Sequence, residues 1–239
     1  MKWLVVSDLH YGLRQYDWVC EVASDFELVV IAGDLLDLRS VVPIEAQSVA
    51  VTAQVGRIGA RGRLAACSGN HDLDSRDDVG EKTAGWLQAA RGEQVLVDGD
   101  TTEVGDTLVS VCGWWDGPGG RASLEERFEV EARSRKAARW AWVYHAPPTG
   151  SPLTWDGRRA FGDDALAEWI ERFRPSLVLA GHIHQSPFTP DGGWADRIGD
   201  TWVFNPGRQP GPVPAHVVLD SQAGRATWYS LEGVEHRDL

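Results

Sequence analysis

Eight side chains in this sequence are of the kinds that hold metal ions or move protons, and all eight occur in one kind of place. Asp8 and His10 follow the apolar run Trp3-Leu4-Val5-Val6, and Asp34 follows Leu28-Val29-Val30-Ile31-Ala32-Gly33. Asn70 and His71 follow Leu64-Ala65-Ala66-Cys67, His145 follows Trp140-Ala141-Trp142-Val143-Tyr144, and His182 and His184 follow Leu177-Val178-Leu179-Ala180-Gly181. In extended backbone, residues two apart point to the same side, so Asp8 with His10, and His182 with His184, can each offer two donors to one cavity. Carboxylates, neutral imidazoles and one amide, with no thiolate among them, suit borderline divalent ions such as Mn, Fe(II), Co or Zn. The set is too large for one tetrahedral ion and suits two ions that share a carboxylate. Five of the seven histidines belong to it, and His216 and His236 are given no role. Singly, each residue has a plainer explanation, since a glycine-flanked Asp is commonly a turn residue and an Asn-His a satisfied loop pair. Repetition at five strand ends is what points to chemistry.

The elements that must position these groups can be read from periodicity. The five apolar runs are predicted strands, and helical sequence lies between them: around Tyr16 to Ser24, from Pro43 to about Arg57, and from about Asp163 to Phe173. Residues Asp74 to Arg91 read as mostly polar and helical, with Trp86 and Leu87 on a buried side. From Gln94 to Trp115 the pattern turns to short alternating strands, with turns at Asp98-Gly99 and Gly105-Asp106. Gly117-Pro118-Gly119-Gly120 reads as a breaker, and Ser123 begins a charged, solvated helix to about Ala138. Short strands return around Thr201 to Phe204, Ala215 to Leu219 and Ala226 to Leu231. Strands alternating with helices imply parallel pairing and the hairpins imply antiparallel pairing, so a mixed α/β architecture with more than one sheet is expected. Ligands of such sheets bind beyond the carboxyl ends of the strands, where all five polar clusters fall. With no repeat, low-complexity segment or linker, residues 1–239 read as a single domain.

Composition narrows the partners. A formal charge of −12 over 239 residues disfavours long nucleic acid, because phosphate contacts need a basic surface. No apolar run is long enough to span a bilayer, so no membrane partner is expected. The first strand is predicted to start at Lys2 or Trp3, so no cleaved leader is expected. Cys20, Cys67 and Cys112 are odd in number and form no CxxC pair, so reduced, buried thiols and a cytoplasmic location are the expectation.

In order along the chain, Asp8-x-His10, Gly33-Asp34, Gly69-Asn70-His71-Asp72, His145 and Gly181-His182-x-His184 resemble the motifs of the calcineurin-like metallophosphoesterase superfamily. Each motif alone is weak; the ordered set is specific. The resemblance implies a four-layer αββα sandwich, two mixed β-sheets flanked by helices. It assigns Asp8, His10, Asp34 and His184 to a first divalent metal ion and Asp34, Asn70, His145 and His182 to a second, with Asp34 bridging. It further implies a phosphate mono- or diester substrate, attack by metal-activated hydroxide, and His71 facing the substrate to assist the leaving oxygen. Asp37 could orient His71 or serve only as a surface or capping residue, and Asp72 completes the motif without an assigned role. Asp37-Leu38-Arg39 lacks the Asp-Arg-Gly of protein Ser/Thr phosphatases, and His71 stands where lipid A precursor pyrophosphatases carry arginine. The alternatives are a nuclease of the same fold and a catalytically silent, metal-binding scaffold. Arg208, after Asn205-Pro206-Gly207, could reach a substrate phosphate or belong only to a turn. Trp114, Trp115, Trp155 and Trp194 could line a substrate mouth, with core packing the plainer reading. Metal identity, substrate and oligomeric state stay open at this point.

Overall fold

A computed structural model describes residues 2–239. In chain order it runs β1 (Lys2–Val6), α1 (Leu13–Val22), β2 (Leu28–Ala32), α2 (Ile44–Gly59), β3 (Leu64–Cys67), β4 (Ser75–Arg76), β5 (Lys82–Thr83), α3 (Gly85–Ala89) and β6 (Val95–Leu96). There follow β7 (Thr101–Val104), β8 (Thr107–Val111), α4 (Pro118–Ser134), β9 (Arg139–Val143), α5 (Asp164–Phe173) and β10 (Leu177–Leu179). The chain ends with β11 (Ala195–Ile198), β12 (Thr201–Phe204), β13 (His216–Asp220), β14 (Arg225–Ser230) and β15 (Gly233–Asp238). One mixed sheet has seven strands in the order β15-β14-β13-β1-β2-β3-β6, a second has six in the order β11-β12-β10-β9-β8-β7, and β4 pairs with β5 apart from both.

The apolar strands explain the layering. Each is buried on both faces, and alternate residues enter different cores. Trp3 and Val5 of β1, with Leu28 and Val30 of β2, point between the sheets, where they meet Val109, Val143, Leu179 and Phe204. Leu4, Val6, Val29 and Ile31 point the other way, onto Val19 of α1 and Val51, Val55 and Ile58 of α2. On the far side of the second sheet, Trp140, Trp142 and Val178 pack against Phe128 of α4 and Leu166, Trp169 and Ile170 of α5. Helix, sheet, sheet, helix is the four-layer sandwich that the motifs imply.

Register puts the five strand ends level. β1, β2 and β3 are parallel, with Val6 opposite Ile31 and Ala32 opposite Cys67. β9 and β10 are parallel in the second sheet, with Val143 opposite Leu179. The loops leaving all five therefore emerge at one edge of the sandwich.

Three stretches differ from the sequence expectation. Residues 74–91 form the β4–β5 hairpin and the short α3 instead of one helix, although Trp86 and Leu87 are buried as expected. Asp77 drives the hairpin, its carboxylate accepting from the N–H groups of Val79 and Glu81. The Gly-Pro-Gly-Gly cluster starts α4 rather than breaking the chain, with Pro118 in the first turn. Glu81 makes this possible, since its carboxylate accepts from the N–H groups of Gly119 and Gly120 at 2.8 and 2.7 Å. Helix α4 is also not wholly solvated. Phe128 is fully buried, and buried Glu131 accepts from Ser110 Oγ at 2.6 Å. The edge strand β15 carried no strand signal.

All three cysteines are free and buried. Trp194 lies in the inter-sheet core, stacked on Phe204 and Trp228, which settles it as packing. Among the described residues no helix is long and apolar enough to cross a membrane.

Candidate metal centre

Six of the eight side chains converge on two overlapping sets of candidate ligand atoms. Asp8, His10, Asp34 and His184 bring one ligand atom each to within 4.8 Å of one another, and so do Asp34, His145 and His182. Asp34 belongs to both. Its Oδ2 lies 3.5 Å from His10 Nε2 and 3.3 Å from His145 Nε2. His184 Nε2 stands 3.2 Å from Asp8 Oδ1 and 2.9 Å from His10 Nε2. Asn70 is joined to this ground through its neighbour, as the backbone N–H of His71 donates to Asp34 Oδ1 at 2.9 Å. His71 and Asp37 form a third group with His10.

Backbone conformation aims these groups. Asp8, His10, Asp34 and His182 all take left-handed φ angles, of 55°, 43°, 52° and 70°. Non-glycine residues adopt this region at a cost of about 1–3 kcal/mol each, and it persists only where surrounding bonds hold it. Here they do. Asp8 N–H donates to Gly33 O at 3.0 Å, His10 N–H to Asp34 O at 3.0 Å, and His182 N–H to the Asp8 carboxylate at 3.1 Å. The motif glycines have a steric reason. A Cβ on Gly69 would lie 2.3 Å from Asp34 Oδ1 and 2.8 Å from a carbon of the His145 ring, and Gly33 pairs a φ of 83° with contact to the same ring.

Asp72 is the residue whose part the sequence left unassigned. Fully buried, it accepts from Leu35 N–H at 3.2 Å, Leu36 N–H at 2.8 Å and Gly69 N–H at 2.8 Å, so it clamps the loop carrying Asp34 to the loop carrying Asn70. Asp72→Ala would strand three buried donors. The expected loss is on the order of 3 kcal/mol or more of unfolding free energy, with weakened metal affinity, as read by denaturant titration and equilibrium dialysis.

Electrostatics favours neutral ligands at two imidazoles and charge at a third. Burial lowers His10 to about 4, against the pull of Asp8 and Asp34. Burial likewise lowers His182 to about 4, helped by the charge of His145. Burial also opposes charge on His145, but Asp34 and then Asp8 outweigh it and raise that ring to about 9. Asp8 resists ionisation through burial, yet the hydrogen bond and charge of His184 hold it well below the usual carboxylate range. Asp34 is held low in the same way, chiefly by His145.

A metal ion fits this donor set. Asn70 Oδ1 and His145 Nε2 are buried with no hydrogen-bond partner among the described residues, although buried polar atoms normally have one. The Asn70 oxygen has a lone pair to give, and His145 Nε2 gains one once its proton leaves. His145 Nδ1 is tied to Ala32 O at 2.8 Å, which leaves Nε2 as the nitrogen that would face a metal ion.

Around the ligands the remaining expectations separate. Asp37 does not hydrogen-bond His71. Its Oδ1 lies 3.8 Å from His71 Nδ1 and accepts Arg39 N–H, while Nδ1 accepts Leu38 N–H at 3.1 Å. Gln47, which the sequence did not single out, holds that loop by accepting from Asp37 N–H and donating to Asp37 O. Trp114 lies with its ring 5.6 Å from that of His145 and 5.4 Å from that of His182. With Trp115, Tyr144 and Phe161 it lines a cleft of about 470 Å³ that His182 borders. Trp155 lines a separate depression that includes no ligand candidate. Arg208 borders a larger cleft, of about 670 Å³, on the His184 side.

Residues 1–186 match the calcineurin-like phosphoesterase family. The chain belongs to that family. Members and neighbours of known structure repeat the fold at low identity. The protein TT1561 of Thermus thermophilus aligns with a TM-score of 0.63 at 16% identity, covering 99% of this chain and 98% of its own. A dimetal phosphatase from Danio rerio aligns at 0.57 and 10% identity, over 98% of this chain and 96% of its own. A purple acid phosphatase from yellow lupin, Lupinus luteus, aligns at 0.60 and 14% identity, over 100% of this chain and 51% of its own. No curated protein matches. In this calcineurin-like phosphoesterase, the candidate ligand residues gather at one edge of the sandwich.

Proposed function

We propose that the chain hydrolyses a phosphate mono- or diester at a dinuclear centre. The observation that carries this reading is Asp34, whose single oxygen Oδ2 stands between the two ligand sets. Asp8, His10, Asp34 and His184 would hold one divalent ion, and Asp34, Asn70, His145 and His182 the other. Such a pair, drawn from Mn, Fe, Zn or Co, supplies Lewis-acid charge neutralisation at phosphoryl oxygens and an acidified water.

The protein's own part lies with His71. Because a backbone N–H can only donate, Leu38 makes Nδ1 of His71 an acceptor and leaves the neutral ring's proton on Nε2. From there it donates a hydrogen bond to the phosphoryl group as charge builds. To give a proton to a leaving oxygen the ring must first become imidazolium, with its Nδ1–H turned from Leu38 toward Asp37 Oδ1, 3.8 Å away. Asp37 is then a positioning residue, in use only in the charged state. Trp114 covers the His145 and His182 rings on one side.

The test is hydrolysis of p-nitrophenyl phosphate and bis-p-nitrophenyl phosphate after chelation and re-addition of Mn(II), with metal content measured in parallel. Two ions per chain and restored turnover are expected, and the faster ester marks the bond class. In His71→Ala, turnover should fall roughly 10²- to 10⁴-fold with metal content unchanged. Two bound ions with no turnover of either ester would instead favour the silent scaffold.

A further inference from the structure

We propose that the cleft beyond His184 receives a second phosphate of the substrate, so that the natural ester carries two phosphoryl groups. This rests on the hydrolase reading above and names its substrate class. The cleft measures about 670 Å³ and has His184 itself in its wall, so it opens directly onto the ligand set. Arg14, from the first turn of α1, and Arg208, from the turn after β12, stand in its lining, which includes no carboxylate. Neither guanidinium has an ion pair or side-chain hydrogen bond among the described residues. Arg57, Arg91, Arg121 and Arg127 by contrast pair with Asp17, Asp100, Glu168 and Glu131, and it is the absence of any carboxylate from this lining that sets Arg14 and Arg208 apart. In a chain of net charge −12, two free arginines in one acid-free cleft mark a place kept for an anion from outside.

The geometry is built in advance. Arg208 N–H donates to His184 O at 3.1 Å, which ties the arginine to a ligand residue. Gln15 donates to Gln209 O at 2.9 Å and Gly211 O at 3.1 Å, holding the turn against α1. Gln209 in turn donates to Val213 O and accepts Leu231 N–H. A fixed wall lets two planar guanidinium forks meet one phosphate without ordering a loop. Two cations also match a phosphate dianion better than a single carboxylate. The cleft at His182 is of the opposite kind. It contains Asp163 and Asp164, and its one arginine, Arg121, is engaged by Glu168.

The experiment compares thymidine 5′-(p-nitrophenyl phosphate) with its 3′-phosphorylated counterpart on metal-loaded protein, in wild type, R14A/R208A, R14K/R208K and R57A. Wild type should favour the 3′-phosphorylated ester by about tenfold or more in kcat/KM. R14A/R208A should bring that ratio close to one, slowing the phosphorylated ester far more than the plain one. R14K/R208K should keep part of the preference, and R57A all of it. Equal kcat/KM for the two esters in wild type, or equal slowing of both in R14A/R208A, overturns the proposal. If wild type hydrolyses neither ester, the hydrolase reading fails by itself. Calorimetric binding of the same intact esters then reads the same ratio, and equal affinities overturn the second-phosphate site.

Discussion

Asp34→Ala is expected to empty the centre, taking metal content from two ions per chain to fewer than one and turnover down on the order of 10³-fold or more. The size follows from position. Asp34 is the one carboxylate in both candidate ligand sets, so in the proposed dinuclear centre its loss would strip each ion of a charged oxygen. Alanine also deprives His71 N–H of its acceptor at 2.9 Å and so loosens the Asn70–His71 loop. Asp34→Asn separates the two effects, because its amide oxygen can still accept from His71 while the charge is gone. Elemental analysis and reporter hydrolysis of both variants check the expectation. Two ions and near-native turnover in Asp34→Ala would remove the bridge from the mechanism.

Metal affinity should depend steeply on pH, through His145. In the metal-free protein Asp34 and Asp8 hold that ring protonated up to about 9. A metal ion takes only the neutral ring, so the proton must leave first. Below pH 9 each lower pH unit therefore weakens binding at the His145 position by about tenfold; above pH 9 the dependence flattens. His10 and His182, lowered to about 4, are already neutral across this window and add nothing until the pH approaches that value. Asp8 and Asp34 are held ionised throughout and add nothing either. At pH 7, loading should release about one proton from His145. Calorimetry in buffers of different ionisation heat measures that number, and a value near zero would mean that His145 is neutral before the metal arrives.

The grouping of candidate ligands was legible in the sequence because the strands that carry them are apolar on both faces. Runs such as Leu28-Val29-Val30-Ile31-Ala32 stop abruptly at a glycine and a polar residue, and a buried parallel strand must stop where the loop meets solvent. Each motif residue therefore carried a position as well as a chemistry. What was not legible depends on partners far away in the chain. Pro118 begins a helix because Glu81, from a different hairpin, supplies the acceptor for its first turn. Asp72 reads locally as one more polar residue after His71, and only the fold brings Leu35 and Leu36 to its carboxylate. Trp114 and Trp194 are alike in a sequence of twelve tryptophans, yet one lies against the candidate ligand imidazoles and the other fills the space between the sheets.

Of the six non-glycine residues with left-handed backbone among the described residues, four are Asp8, His10, Asp34 and His182. Glycine would sit at each of these positions without strain, so the rest of the fold continuously supports side chains that its own backbone disfavours. Stability and chemistry are opposed at four sites at once. A library of variants sorted for heat resistance alone would drift toward glycine there, and its most robust members would have lost the side chains proposed to hold metal.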